Sequence, residues 1–244
     1  MNDALSVVVT MHREGLYGVS SLRSIESSLK TLGTPFEVIV MLDNPDDATE
    51  QVAYAFARRF KHARILSVEF QDPAESRNEG IANALHDMVA IVDGDDLVSS
   101  NYFPAHLSEM RKLPEEFVLR PELIITFGDE LLFHTQPDER LTPISRELMF
   151  GVNPWASPVF GSRKVFQTVE YSPIDTPGFG YEDWLWNCDL KNCGFRNAVA
   201  PQTTYFYRRK AVGNSRNVAS NQSNAILPPN PLFDIHFHDE KVPL

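Results

Sequence analysis

MVAIVDGDDL, residues 88–97, runs from five apolar positions straight into Asp93, Asp95 and Asp96 around Gly94. The apolar half has no polar residue to alternate with, so it fits a strand buried on both faces rather than a half-solvated one. Unpaired carboxylates are too costly to bury inside such an element. The acids therefore mark the carboxyl end of a central strand, where a parallel sheet opens to ligand. Asp-Gly is also a common turn dipeptide, so the tip taken alone admits a plain solvated turn as well.

Upstream, LSVVVT at 5–10, FEVIVM at 36–41 and ARILSVEF at 63–70 read as three more strands. Helical spacing separates them. Val19, Leu22, Ile25, Leu29 and Leu32 form one stripe, and Val52, Ala55, Phe56 and Phe60 form another after Asp46 and Asp47, which suit a helix start. An Ala-rich third connection, from about Pro73 to His86, has Ile81 and Leu85 on one face. This strand-helix alternation predicts an α/β fold with a mostly parallel sheet flanked by helices.

From about Asn101 the pattern is less regular and points to a smaller mixed region. ELIITF at 122–127 and ELLFHT at 130–135 read as a hairpin turning at Gly128-Asp129. SPVFGSRKVF at 157–166 has a helical start near Arg163, and YEDWLWNCDLKNCG at 181–194 reads as a helix stopped by Gly194, with Trp184, Leu185, Cys188 and Leu190 toward one side. The tail from Asn221, with Pro228, Pro229, Pro231 and Pro243, reads as an extended arm.

Composition excludes several classes. A net charge of -11 argues against nucleic acid, whose binding needs clustered cations to release counterions. No long uncharged apolar run and no leader-like N-terminus occur, so the expectation is a soluble cytoplasmic protein, free or peripheral to the inner face of a membrane. Cys188 and Cys193, without metal-spaced partners, are expected to be plain thiols.

The candidate site residues follow from the sheet. Asp93, Asp95 and Asp96 offer hard oxygen donors suited to Mg²⁺ or Mn²⁺, which take one or two carboxylates together with substrate phosphates. Asp43 ends another strand, and Arg77 lies in the helical connection leading to the acidic tip. A carboxylate can accept the imide N–H of a uracil, and an arginine can stack on a base or neutralise phosphate. Arg208, Arg209, Lys210 and Arg216 form the main basic cluster of an acidic chain. Trp155, in the Pro-flanked loop GVNPWASPVF, is a candidate for stacking on a ligand, whereas Trp184 and Trp186 read as packing residues.

The order of motifs resembles the family 2 glycosyltransferases of the GT-A fold. Thr10, His12 and Arg13 after the first strand, VIVMLDNPDDAT after the second, AESRNEGIANA, IVDGDDL and FGYEDWLWNCDL are each similar to a segment of that family, over roughly residues 5–216. The resemblance implies a nucleotide-sugar-binding half at 1–100, an acceptor-binding and catalytic-base half of the same domain at 101–220, and a tail at 221–244. It implies inverting transfer of a sugar from a nucleoside diphosphate, by family frequency UDP, to an acceptor hydroxyl, by analogy in glycan or polysaccharide assembly. Thr10, His12, Arg13, Asp43, Arg77, Asp93, Arg208 and Lys210 would then meet the nucleotide, with Asp43 at the base and Asp93 at the ribose. Asp95 would hold Mn²⁺ or Mg²⁺. Asp183 would be the general base, Glu182 would position it or the acceptor, and Trp155 would stack on the acceptor.

Two departures stand out. The family commonly shows two consecutive acids followed by Gly-Ser, where this chain has Leu42-Asp43-Asn44-Pro45, and Lys210 stands where many relatives carry His. A protonated lysine is no metal ligand, but it can pair with phosphate. Among rivals, a sugar nucleotidyltransferase needs a glycine-rich phosphate loop that TMHREGLYG lacks. A non-catalytic nucleotide-sugar-binding module would share the donor residues but has no use for a base such as Asp183.

Overall fold

The computed structural model describes residues 4–173, 180–210 and 230–233. In chain order the elements are β1 (Leu5–Met11), α1 (Tyr17–Leu29), β2 (Phe36–Asp43), α2 (Asp47–Arg59), β3 (Ala63–Val68), α3 (Pro73–Ala82), β4 (Met88–Asp93) and β5 (Leu97–Val98). They continue with α4 (Tyr102–Met110), β6 (Phe117–Gly128), β7 (Phe133–Thr135), α5 (Arg146–Gly151), β8 (Val159–Ser162), α6 (Arg163–Thr168), α7 (Glu182–Asn192) and β9 (Arg196–Arg209). A single sheet runs in the order β3-β2-β1-β4-β8-β6-β9-β5, with β7 on β6, so both halves of the chain share it.

The first four strands pair in parallel, as the continuous apolar runs predict. Their side chains alternate between two cores. Val7, Val9, Val38, Val40, Ala90 and Val92 face the cluster that takes in Leu22 and Ile25 of α1, Phe56 of α2 and Phe103 of α4. Val8, Ile39, Met41, Val89 and Ile91 face Ala74 and Ile81 of α3, Phe166 of α6, and Trp186 and Leu190 of α7. Helices therefore cover both faces. The chain moves outward from β1 to β3 and then returns to β4 on the other side of β1. This reversal makes the carboxyl ends of β1 and β4 the switch point, and the register pairs Thr10 with Asp93 there.

Several local readings agree with the structure. Asp46 caps α2, its Oδ1 accepting from Thr49 N at 2.8 Å. Gly194, at φ +80, follows the end of α7. Others are corrected. Leu85 lies past the end of α3 and is 71% exposed. On α7, Trp186 takes the core position, stacked on Tyr171 and Phe166, while Trp184 and Leu185 are only partly buried. The expected hairpin pairs Ile125 with Phe133, so its turn is wider than the Gly128-Asp129 dipeptide. The tail's Pro228, Pro229 and Pro243 lie outside the described residues, but Pro231–Phe233 forms a 3-10 turn whose Leu232 packs against Met149, Trp155 and Cys188. Both cysteines are free thiols. No helix among the described residues is long and apolar enough to cross a membrane.

Candidate active site

A cavity of about 610 Å³ opens at this switch point, and its wall includes Thr10, Asp43, Asp93, Asp95, Glu182 and Lys210. The acidic tip that closes it requires glycine. A Cβ on Gly94 would stand 2.7 Å from the Thr10 carbonyl oxygen and 2.5 Å from Met11 Cγ. Gly94 N instead donates to that carbonyl at 2.9 Å and folds the tip back over β1.

The three acids of the tip have different surroundings. Asp93 accepts from Arg77 Nη2 at 3.1 Å, Thr10 Oγ1 at 3.2 Å and Ser157 Oγ at 2.8 Å. Burial opposes its charge, but Arg77 and these donors hold its carboxyl below the usual range. Asp96 is buried, accepts from Arg208 N at 2.6 Å, and is pushed well above the usual range by burial and then by Asp95 and Asp93. Asp95 faces the cavity and pairs with Lys210 Nζ at 2.8 Å. Burial works against the ammonium of Lys210, yet Asp95 outweighs it and holds the proton more tightly than usual.

Asp43 lines the cavity at 5% exposure, and its oxygens are already engaged. Oδ1 accepts from Gln71 N at 2.7 Å, and Oδ2 from Asp72 N at 3.1 Å and Ser76 Oγ at 2.8 Å. It thereby fixes the approach to α3, whose start is capped by Asp72 with Pro73 in the first turn. His12 and Arg13 also line the cavity, with His12 Nδ1 against the Asp43 carbonyl.

Arg77 lies in the cavity wall as expected, but its guanidinium is largely engaged within the protein. It is 3% exposed, and its two Nη atoms are spent on Asp93 and, at 2.7 Å, on Glu182 Oε1. Burial disfavours its charge, but Asp93 and Glu182 more than offset this. It acts as a brace between the acidic tip and the first turn of α7.

Glu182 faces the cavity; Asp183, the next residue, lies beside that wall and not among the residues that line it. Its Oδ2 accepts from Asn153 Nδ2 at 3.2 Å and its Oδ1 from Trp184 N at 2.8 Å. Asn153 in turn accepts from Asn187 Nδ2 at 2.9 Å, and Asn187 accepts from Arg120, itself 1% exposed. Burial first, and then Glu182, pushes the Asp183 carboxyl up to about 7, with Arg77 opposing.

The basic cluster is divided by the alternation of β9. Arg208 and Lys210 reach the cavity, whereas Arg209 turns to Glu130 at 3.6 Å, and Arg216 lies outside the described residues. Arg208 is clamped between the rings of Tyr17 and Phe127, at 4.2 and 4.4 Å, with Nε donating to the Asp95 carbonyl at 2.9 Å. Trp155 is corrected. It is 1% exposed, packs with Met149, Cys188 and Leu232, and donates Nε1–H to the Pro137 carbonyl at 3.0 Å, so no ring face is open to a sugar.

Sequence reasoning missed Glu14, Tyr17, Ser157 and Asn153. Glu14 lies in TMHREG beside His12 and Arg13, and its carboxyl is raised by burial and by Asp95 against the pull of Lys210. Ser157 and Asn153 carry no signal in one sequence, because their partners Asp93 and Asp183 lie 64 and 30 positions away.

The fit of a divalent ion rests on Asp95. Its carboxylate faces the cavity and already holds a cation, the Lys210 ammonium. Among the described residues no group of three or more His, Cys, Asp or Glu could hold a metal by themselves. Asp95 therefore fits an ion whose remaining donors come from substrate phosphates.

The sequence profile described as Glycosyl transferase family 2 matches residues 6–161, from the second residue of β1 through β4 and the acidic tip and on into β8. The chain belongs to this family. Among curated relatives, glycosyltransferase GlyG of Streptococcus pneumoniae is 28% identical over 120 residues, covering 49% of this chain and 39% of that protein. The uncharacterized glycosyltransferase YibD of Escherichia coli is 30% identical over 97 residues, covering 39% of this chain and 27% of its own length. The chain thus spans well under half of each of these two relatives. Among solved structures, Staphylococcus aureus TarS 1–349 in complex with UDP-GlcNAc superposes with a TM-score of 0.59 at 16% identity, over 87% of this chain and 60% of that one. GalNAc-T7 with UDP, GalNAc and Mn²⁺ gives 0.61 at 17% identity, over 90% and 47%. At such identities the likeness speaks for the fold, which is GT-A, as the order of motifs implied.

Proposed function

We propose that the chain moves a sugar from a nucleoside-diphosphate sugar, with UDP-sugars as donors, to an acceptor hydroxyl with inversion at the anomeric carbon. The setting proposed is glycan or polysaccharide assembly. The observation that carries this reading is the Glu182-Asp183 pair at the switch-point cavity: Glu182 lines the wall with Asp93 and Asp95, and Asp183 is held beside it by Asn153 and Trp184 N, its carboxyl pushed up by burial and by Glu182. A general base works best with a pKa near the working pH, and a pure binding module has no need of one. The UDP-GlcNAc in complex with TarS 1–349 and the UDP with GalNAc-T7 favour the uridine donors.

In the reaction, Asp183 takes the proton of the acceptor O–H as that oxygen attacks the anomeric carbon. The bond from that carbon to the diphosphate breaks, and the nucleoside diphosphate leaves with the electron pair. Asp43 is assigned to the base and Asp93 to the ribose. Arg77 holds the donor tip and the first turn of α7 in fixed relation, which keeps base and donor aligned. Asp95 would hold a divalent ion jointly with the donor's phosphates, where the ion offsets charge on the departing group.

A thermal-shift screen of nucleoside diphosphates, with and without Mn²⁺, tests the donor half of this reading. UDP should raise the melting temperature, because a ligand that binds only the folded state stabilises it. If no nucleoside diphosphate moves the transition under either condition, the reading fails.

A further inference from the structure

We infer that Lys210 is a tethered cation that occupies the Asp95 carboxylate until a donor diphosphate draws it away, so that a divalent ion binds together with the nucleotide and not before it. The inference rests on the nucleotide-sugar reading above and concerns how that site is loaded.

The pair is built into the cavity wall. Lys210 Nζ stands 2.8 Å from Asp95 Oδ2, and the two side chains keep only 23% and 13% of their surface. At that burial the contact is far less screened than an exposed ion pair. Its geometry is set from two sides. Gly94 folds the tip against β1, and the end of β9 is tied to the same tip through Arg208, whose N donates to Asp96 Oδ1 at 2.6 Å and whose Nε donates to the Asp95 carbonyl at 2.9 Å. Lys210, two residues beyond Arg208, is thereby delivered to Asp95.

An ammonium and a divalent ion cannot both sit in contact with one small carboxylate without strong mutual repulsion. No cluster of acids among the described residues offers the ion another place. A diphosphate resolves the conflict. Its oxygens accept from the three N–H donors of the ammonium, and they complete the ion's coordination on Asp95. Ion and nucleotide therefore strengthen each other's binding by the same factor, and Lys210 carries part of that coupling.

The test titrates Mn²⁺, read as free ion by electron paramagnetic resonance, into wild type, Lys210→Met and Lys210→Arg, each with and without UDP. Without UDP, Lys210→Met should bind Mn²⁺ at least about tenfold more tightly than wild type, and Lys210→Arg should resemble wild type because it keeps the cation. UDP should tighten Mn²⁺ binding by a larger factor in wild type than in Lys210→Met. Equal Mn²⁺ affinities for wild type and Lys210→Met without UDP overturn the inference, as does UDP tightening Mn²⁺ binding by the same factor greater than one in both, or a failure of all three proteins to bind Mn²⁺. Tighter Mn²⁺ binding by Lys210→Met with no response to UDP in any protein would uphold the competition for Asp95 and remove the nucleotide reading instead.

Discussion

Replacing Asp183 with asparagine should cut transfer by orders of magnitude and yet stabilise the protein above neutral pH. The carboxyl of Asp183 rises from 3.8 to about 7 on folding, chiefly through burial and then through Glu182. A rise of that size corresponds to about 4 kcal/mol of folding free energy given up once the group is charged. Glu182 carries part of the same repulsion, so about 2 kcal/mol is expected for the single change. The sign follows from linkage. A carboxyl raised on folding contributes its full stability below pH 3.8 and loses it as the pH climbs through about 7. Asparagine has no charge to lose. It keeps the size of the side chain but can accept from only one of Trp184 N and Asn153 Nδ2, which costs about 1 kcal/mol at every pH. The melting curves of the two proteins should therefore cross. The variant melts lower at pH 4.5 and higher at pH 8 (both about), with a net gain of ~1 kcal/mol there, or about 2–4 °C for a chain of this size. Transfer should fall by about 10²–10⁴ while nucleotide binding persists. Calorimetric melts across this pH range, paired with a donor-turnover assay, measure both. A variant less stable at every pH, with a gap that does not change, refutes the argument from burial.

Three further changes probe the supports of the site. Arg77→Met leaves the Asp93 and Glu182 carboxylates without their shared cation and should cost about 3–5 kcal/mol in chemical denaturation; a loss under about 1 kcal/mol contradicts the brace. Asn153→Ala removes a donor that favours the charged form of Asp183, so the acidic limb of the kcat/KM profile should move up by about one pH unit while UDP affinity holds, and an unmoved limb takes Asn153 out of the positioning role. Trp155→Phe loses the bond to Pro137 and some core volume, and should lower stability by about 1–3 kcal/mol without changing acceptor KM; a raised KM at unchanged stability would restore Trp155 as a sugar platform.

The first half of the fold was legible because each element states its own period. Met88–Val92 has no polar face and lies in the middle of the sheet, and Asp46 caps α2 with a contact only three residues away. The second half hides its strands. β6 and β9 pair over most of their length, yet Pro121 and Pro201 interrupt both, Gln202 turns to φ 62, and the register shifts after Pro121, so neither reads as one long strand. α4 starts without a side-chain cap and carries Pro104 in its first turn.

The site divides in a similar way. Asp93 and Asp95 were placed by the strand that ends in them, and the structure brings Thr10, Asp43, Asp93, Asp95 and Glu182 to one cavity. What one sequence could not state was who holds whom. Arg77 reads as a free guanidinium until its partners, 16 and 105 positions away, come into contact with it. Trp155 sits in a stretch that looks like an exposed loop, but Leu232 covers it from the far end of the chain. The Lys210–Asp95 pair likewise exists only once β9 has folded back to the tip of β4.

The decisive measurement is time-resolved proton NMR of UDP-sugar turnover with Mg²⁺, with water standing in for the acceptor and the anomeric configuration read before the free sugar mutarotates. Wild type should release UDP and give first the sugar of configuration opposite to the donor's, and Asp183→Asn should give neither. A product that keeps the donor's configuration, or turnover that survives in Asp183→Asn, would contradict inversion by Asp183.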